Sequence, residues 1–478
     1  MRAHLAVRLT PSFQRDLEAL PDAIQEKILE AVRRLKANPF GPPPKIKKLK
    51  GKGAGQWRLK VWPYRVRYDV LEEEVVLYRV RHRRARGQQR RRGGREGGGT
   101  RGMKSTMTRR ELLLLGLGVS GALFGCATIP PRVSAPAKKL IEFGWDEPDT
   151  AFMRRHIAQM EQTPFDGVVF HVTYARPDGK PGDFLWEAWG GRAFTDAELA
   201  PALVDLTTTR FQRFTHNYLR FNTSPGDVDW FDDFSAILTN ARLAARIARL
   251  GGAVGILFDT EQYHAPLFDY RRQRDAGTTS WDAYAAQARR RGQEVMQAFQ
   301  HGFPHLTVFL TFGYGVPWLE LRKGAPSLAA CEYGLLAPFL DGMVEAASGR
   351  ARLVDGYELA YFHNKDLKRF AAVYRMLTAD LLPIVGDPAR YRRLFSVGFG
   401  LFLDYDPQER SWNGVDGSAN YYTPADFEAS VRAALDVADE YVWIYAQVPR
   451  WWSPAGTPIN LPAGYAEALR RARSDMRP

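Results

Sequence analysis

The stretch AVGILFDTE, residues 253–261, is an apolar run that closes on two carboxylates spaced two positions apart. A short continuous apolar run after a Gly-Gly pair reads as a strand buried on both faces. The spacing of two puts Asp259 and Glu261 on the same face at its carboxy end. Just upstream, DDFSAILTNARLAARIARL (232–250) carries apolar residues at helical spacing with arginines behind them, the pattern of an amphipathic helix. The alternation continues outward in both directions. Candidate strands are IEFGWD (141–146), GVVFHV (167–172), QRFTHNYL (212–219), TVFLTFGY (307–314), LVDGYELAY (353–361), RLFSVGFGLFLD (393–404) and YVWIYAQV (441–448), with ADFEASVRAALDVADEY (425–441) among the helices. Eight strands alternating with helices over residues 139–478 predict an α/β domain, a (β/α)8 TIM-barrel-like fold with insertions. No glycine-rich phosphate loop follows the first strand, which argues against an open nucleotide-binding sheet.

In such a barrel the chemistry sits at the carboxy ends of the strands. Those ends carry Asp146, His171, Tyr174, His216, Asn217, Asp259, Glu261, Tyr314, Glu358, Asp404 and the stretch from Trp443 to Trp452. Carboxylate pairs across a cleft with tryptophan and tyrosine are what glycosidic-bond hydrolysis needs: one carboxyl protonates the leaving oxygen, another attacks or activates water, and rings stack on sugar faces. Glu261 is the preferred general acid, with Asp259 on the same face to raise or share its proton. The second carboxylate is Glu358 or Asp404, and Tyr314 and Trp443 are the expected stacking rings. His171 and His216 read either as substrate-binding or as hydrogen-bonded core residues. Asp259, Glu261 and His264 have metal-ligand chemistry, but no HExxH-type motif accompanies them, and neither a metal nor a cofactor is expected. The Asp-x-Glu of the fourth strand and the final YVWIYAQ resemble the corresponding strands of chitinase-like barrel glycosidases. Gly255 to Phe258 stand where those enzymes carry further aspartates, so their substrate-assisted mechanism does not carry over. A non-catalytic carbohydrate-binding barrel is the competing reading.

Charge separates this domain from what precedes it. The 478-residue chain has a net charge of +14, yet residues 1–102 hold 26 Lys+Arg against 10 Asp+Glu and the remainder sums to −2. All the basic excess lies in the first fifth, as expected of a nucleic-acid-facing module beside a neutral one. Two cysteines, Cys126 and Cys331, exclude a disulfide framework or a cysteine-rich zinc site.

The amino-terminal module reads as a small α+β domain, residues 1–86. A strand at Leu5–Leu9 precedes SFQRDLEALPDAIQEKILEAVRRLKA (12–37), where Phe13, Leu17, Leu20, Ile24, Ile28, Val32 and Leu35 recur at helical spacing and Pro21 breaks the run into a hairpin. After the turn-rich NPFGPPP come WRLKVWPYRVRYDV (57–70) and EEVVLYRVRHR (73–83), whose apolar/basic alternation predicts an antiparallel sheet. This order, with IKKLKG (46–51), resembles the RelE/ParE toxin superfamily. The resemblance implies ribosome-dependent cleavage of messenger RNA or inhibition of gyrase, and an antitoxin partner. It places Arg58, Lys60, Arg65 and Arg83 at the RNA-binding or RNA-cleaving positions, where they would hold the scissile phosphate and neutralise developing charge. Cleaving members carry a tyrosine shortly after the last arginine. Arg84 to Gln89 contain none, so a gyrase-binding or inactive module stays open.

Between the two modules, residues 87–102 continue an arginine- and glycine-rich stretch that buries no core. Then comes MKSTMTRRELLLLGLGVSGALFGCATIPP (103–131), a charged pair, a short apolar run and a small-residue cysteine site, which is the anatomy of a signal peptide. The run Leu112–Gly125 is short of the roughly 20 residues that span a bilayer. Thr108-Arg109-Arg110 and Leu123-Phe124-Gly125-Cys126 resemble a twin-arginine lipoprotein signal, over residues 103–126, which implies lipidation of Cys126 and a membrane-anchored barrel after a linker at 127–138. Such a signal works at an amino terminus, so translation is expected to start separately at Met103 or Met107, with the first module left in the cytoplasm.

Overall fold

In a computed structural model of the protein the chain divides into two units, Met1–Ala135 and Pro136–Pro478. The structure describes residues 6–9, 13, 16–17, 20, 22–33, 35, 46–48, 57–61, 64–70, 74–82 and 137–474, except 264, 364 and 409. The linkers, the signal stretch with Cys126, and Arg83 lie outside the described residues.

In the first unit the apolar/basic alternation becomes a five-stranded sheet. Its strands are β1 (Ala6–Leu9), β2 (Ile46–Lys48), β3 (Trp57–Val61), β4 (Tyr64–Val70) and β5 (Glu74–His82), in the order β1-β5-β4-β3-β2. The β1–β5 pair is parallel and the other pairs are antiparallel. Helix α1 (Asp22–Arg33) supplies Ile24, Ile28 and Val32, which are buried together with Phe13, Leu17 and Leu20 ahead of it and Leu59, Val66 and Val80 on the sheet.

The second unit is the expected barrel. Its strands are β6 (Lys139–Glu142), β7 (Gly167–Phe170), β10 (Tyr218–Asn222), β11 (Gly255–Asp259), β12 (Thr307–Leu310), β13 (Arg352–Asp355), β14 (Phe395–Val397), β15 (Phe399–Phe402) and β16 (Tyr441–Tyr445). All neighbours are parallel, in the order β14-β13-β12-β11-β10-β7-β6-β16-β15. The nine pieces fill eight positions, because β14 and β15 are one strand interrupted at Gly398. β14 pairs with β13 and β15 with β16, so this strand closes the ring. A hairpin, β8 (Thr173–Ala175) with β9 (Pro181–Asp183), follows the second barrel strand.

Alternation along each strand sorts the core into two. Ile141, Val169, Tyr218, Leu257, Phe309, Val354, Tyr441 and Trp443 form the barrel interior, while Leu140, Phe170, Phe221, Phe258 and Leu310 join the larger layer beneath the helices. Two inward glycines make room: a Cβ on Gly255 would come 1.8 Å from the Thr307 carbonyl oxygen, and one on Gly400 would meet the Trp443 indole at 2.7 Å. The third strand begins later than its sequence suggests. QRFTHNYL is a loop up to Asn217, and the paired segment is Tyr218–Asn222. Phe214 is fully buried without strand pairing, and its apolar character is what extends the strand pattern upstream.

Asp355 ends β13 on the face opposite Val354. It is 1% exposed. Its Oδ1 accepts from the Tyr357 amide at 3.0 Å, and its Oδ2 has no hydrogen-bond partner among the described residues. Burial pushes its carboxyl up to about 7. A raised carboxyl binds its proton more tightly in the fold than in the unfolded chain. Its contribution to stability is therefore complete below about pH 4, the unfolded value, and is lost as pH rises through about 7. Asp355→Asn is expected to raise the melting temperature at pH 8 and to match the parent at pH 4. Equal shifts at both values would exclude this account.

Candidate active site

The carboxy ends of the second to fourth barrel strands build a buried ionic network around one cation. On β10, Tyr218 points inward and Leu219 and Phe221 outward, which aims Arg220 into the barrel. Its guanidinium donates to Glu147 Oε2 at 2.7 Å and to Asp259 Oδ2 at 2.7 Å. It also lies 4.9 Å from the Phe143 ring and 5.7 Å from the Trp186 ring. Burial works against its charge, and Glu147 and Asp259 outweigh that penalty. Burial likewise pushes Glu147 up, but Arg220 and His171 bring it below the usual glutamate range. His171 Nδ1 lies 3.6 Å from Glu147 Oε1. Burial disfavours the imidazolium, yet Asp183, Glu147 and Asp149 raise it to about 9, so it is charged at neutral pH. Asp183, at the end of β9, is pushed up to about 6 by burial, with His171 pulling the other way.

Asp259 is fully buried and saturated with donors: Arg220, the Tyr263 hydroxyl at 2.7 Å, the Thr311 hydroxyl at 2.9 Å and the Glu261 amide at 3.1 Å. This makes it a positioning group that holds the Glu261 backbone and Tyr263 in place. Glu261 and Glu358 are both partly exposed. Glu358 opens a single-turn segment, Glu358–His363, after β13, and its amide donates to the Thr311 carbonyl at 3.1 Å. Burial raises the Tyr263 phenol well above its ordinary value, and the charges of Asp259, Glu261 and Glu358 all push it further. The charges of the fourth-strand and sixth-strand carboxylates therefore both act on one hydroxyl.

Aromatic rings frame these carboxylates. Trp186 meets Tyr263 edge-on at 5.2 Å. The Trp145 indole donates to the Tyr445 hydroxyl at 2.6 Å, as does the Gln447 amide at 3.1 Å. Tyr361 stacks on Tyr445 at 5.1 Å.

The other strand-end residues are committed to partners of their own. Asp404 accepts from the Gln447 and Val448 amides at 2.8 and 3.1 Å, so it orders the eighth loop; burial pushes its carboxyl up to about 6. Tyr314 is fully buried, with its hydroxyl on Asp341 at 2.7 Å and its ring against Tyr391. Trp443 is fully buried in the barrel interior and donates to the Gly356 carbonyl at 2.7 Å. Neither ring has an open face for stacking, because Tyr314 is packed in the layer beneath the helices and Trp443 fills the barrel interior. Asn217 and His216 precede β10 and sit at the opposite, amino-terminal end. There Asn217 accepts from the Val168 amide, and His216 lies 3.9 Å from Glu440. Asp146 accepts from the Trp451 amide and interacts with the buried Glu142. Tyr174 donates to Glu187. His264 lies outside the described residues. Arg220, Glu147, Asp183, Tyr263 and Trp186 escaped sequence reasoning. A lone arginine inside the apolar YLRFN was the available signal for the first of them.

In the first unit, strand register sets like charges opposite each other: Lys47 with Arg58, Arg58 with Arg67, Lys60 with Arg65, Arg65 with Arg81 and Arg67 with Arg79. Like charges placed directly across a ladder are destabilising, which a bound polyanion relieves. Arg58, Lys60 and Arg65 are half-buried here, between the buried Leu59 and Val66. Asp16 takes Arg79 at 2.7 Å.

A family profile described as the ParE toxin of type II toxin-antitoxin system, parDE, matches residues 7–87. Among solved structures, the toxin-antitoxin complex RelBE2 from Mycobacterium tuberculosis is similar at 30% identity, covering 17% of this chain and 95% of that one, with a TM-score of 0.16. GH5_18 from Streptomyces cattleya in complex with GlcNAc is similar at 10% identity over 72% of this chain and 82% of that one, TM-score 0.39. An endocellulase from Pyrococcus horikoshii in complex with cellotetraose is similar at 11% identity over 71% and 93%, TM-score 0.34. No curated protein matches the chain.

Proposed function

We propose, from the match of residues 7–87 to the ParE toxin family profile, a toxin-type module joined to an exported glycoside hydrolase. The observation that carries the hydrolase reading is the placement of Glu261 after the fourth strand and Glu358 after the sixth, with both charges acting on Tyr263, whose ring meets Trp186, and with Trp145 and Tyr361 both on Tyr445. Glu261 protonates the leaving oxygen, while Glu358 attacks the anomeric carbon or activates water. Asp259 and Arg220 hold Glu261 and Tyr263 in position. Asp404 is displaced from the catalytic pair by its bonds to the eighth loop.

The toxin module acts through Arg58, Lys60 and Arg65, with Arg83 beyond the described residues, on RNA at the ribosome or on gyrase, and an antitoxin covers it. The barrel reaches the outside as a lipoprotein made from Met103 or Met107 and anchored to the membrane through Cys126. The support for this is the twin arginine at 109–110 followed by the apolar run and Cys126.

The two halves are tested together. Membrane and soluble fractions of the native cell are separated, the barrel product in each is identified by intact mass, and each is assayed for release of reducing ends from neutral glucans, mannans, xylans and chitin. A membrane product that begins at a lipidated Cys126 and hydrolyses one of these is expected. A full-length soluble chain inert on all of them would overturn the reading.

A further inference from the structure

The aromatic rings do not stop at the carboxylates. Beyond the Tyr361–Tyr445 stack, Phe362 meets Tyr361 at 6.5 Å and Tyr405 at 5.4 Å. Tyr405, Arg410, Trp412 and Tyr421 then line one recess in the loop that follows β15. The row starts beside Glu358, which opens the same short helix, Glu358–His363, that carries Tyr361 and Phe362. Phe362 is 40% exposed, and Tyr405, Trp412 and Tyr421 are half-buried. Rings left partly open in a row beside a polar cleft are the kind of apolar surface that marks a binding site.

The charges along this row are already matched. Lys365 lies 4.6 Å from the Tyr421 ring and pairs with Asp426 at 2.8 Å. Arg410 lies 6.0 Å from the same ring and pairs with Asp406 at 2.7 Å. The surface therefore offers ring faces and polar edges without a net charge, which suits the apolar C–H faces of an uncharged sugar and gives an acidic one no counter-ion. We infer that this row binds the sugar units beyond the cleaved bond, and that the substrate is a neutral glycan chain extending across Phe362 and Tyr405 towards the rings of Trp412 and Tyr421. The inference rests on the glycosidase reading and adds the substrate class and the side from which the chain departs.

The test uses the full chain and oligomers, from dimer to hexamer, of whichever neutral glycan in the panel is cleaved fastest. In the parent, kcat/KM is expected to rise at least tenfold with chain length. In the double variant Phe362→Ala, Tyr405→Ala that rise flattens, while the thermal unfolding midpoint stays within a few degrees of the parent. In parallel, the Glu358→Gln chain is run in gels containing the polymer. It is retarded, and adding Phe362→Ala removes the retardation. A length profile that superimposes on the parent's, or an equal preference for uronic-acid polymers, would overturn the row while leaving the hydrolase intact. Hydrolysis that survives Glu358→Gln unchanged would instead overturn the parent reading, and the row with it.

Discussion

Arg220→Met is expected to destabilise the barrel by about 3–5 kcal/mol, the cost of removing one partner of a buried ionic network and leaving the others uncompensated. The guanidinium side chain is 11% exposed, and the carboxylates it serves, Glu147 and Asp259, are 9% and 1% exposed. Methionine fills much of the space but supplies no charge, so both carboxylates remain buried with their remaining donors: His171 for Glu147, and Thr311, Tyr263 and the Glu261 amide for Asp259. The sign of the pH dependence follows. In the parent, Glu147 is held below its ordinary value, so its pairing stabilises the fold above the unfolded glutamate value and is lost as pH falls through the lowered one. The deficit of the variant should therefore be largest near neutral pH and shrink as the medium becomes acidic enough to protonate these carboxylates. Denaturant midpoints from pH 4 to 8 measure this. A variant within about 1 kcal/mol of the parent at every pH would show that the network is not what holds these strand ends.

The two glutamates should separate by leaving group. Glu261→Gln removes the proton donor and is expected to slow hydrolysis of unactivated oligosaccharides by about 10²–10⁴-fold. A dinitrophenyl leaving group departs without protonation, so on an aryl glycoside of that kind the same variant should keep much of the parent's rate of bond cleavage. Glu358→Gln removes the group that attacks or activates water and should lose both activities. If Glu261→Gln suffers equally on both substrates, its role is positional and the acid must be sought elsewhere. If Glu358→Gln retains full rate on either, the sixth-strand carboxylate is not in the pair. Parallel melting curves guard against a trivial loss of fold.

Much of the architecture was legible because it rests on local periodicity. Eight apolar runs between amphipathic helices can hardly bury both strand faces except in a helix-covered parallel sheet, and the alternation of apolar and basic residues from Trp57 to His82 reads as an antiparallel sheet. Both patterns repeat over a few residues and survive without tertiary information. The break at Gly398, the late start of the third strand and the burial of Phe214 depend on what packs against them.

The candidate site divides in the same way. Asp259 and Glu261 could be placed on one face by spacing alone, and Glu358 follows a strand end by pattern. Their charges act together on Tyr263 from residues about a hundred positions apart in the chain, and only the closed barrel brings the fourth and sixth strands near it. The aromatics show the limit most clearly. Tyr314 and Trp443 look identical in sequence to stacking rings, yet the fold buries them, while Trp186 and Phe362 lie in short helical segments between strands, too brief for a periodicity to announce them. The sequence by itself determined the two modules, their charge contrast and the barrel's strand order, because those follow from composition and short-range repetition. Tertiary structure alone decided which side chains surround Arg220 and why it stays charged there, and which rings are buried, because each of these depends on distances between strands that are remote in the chain.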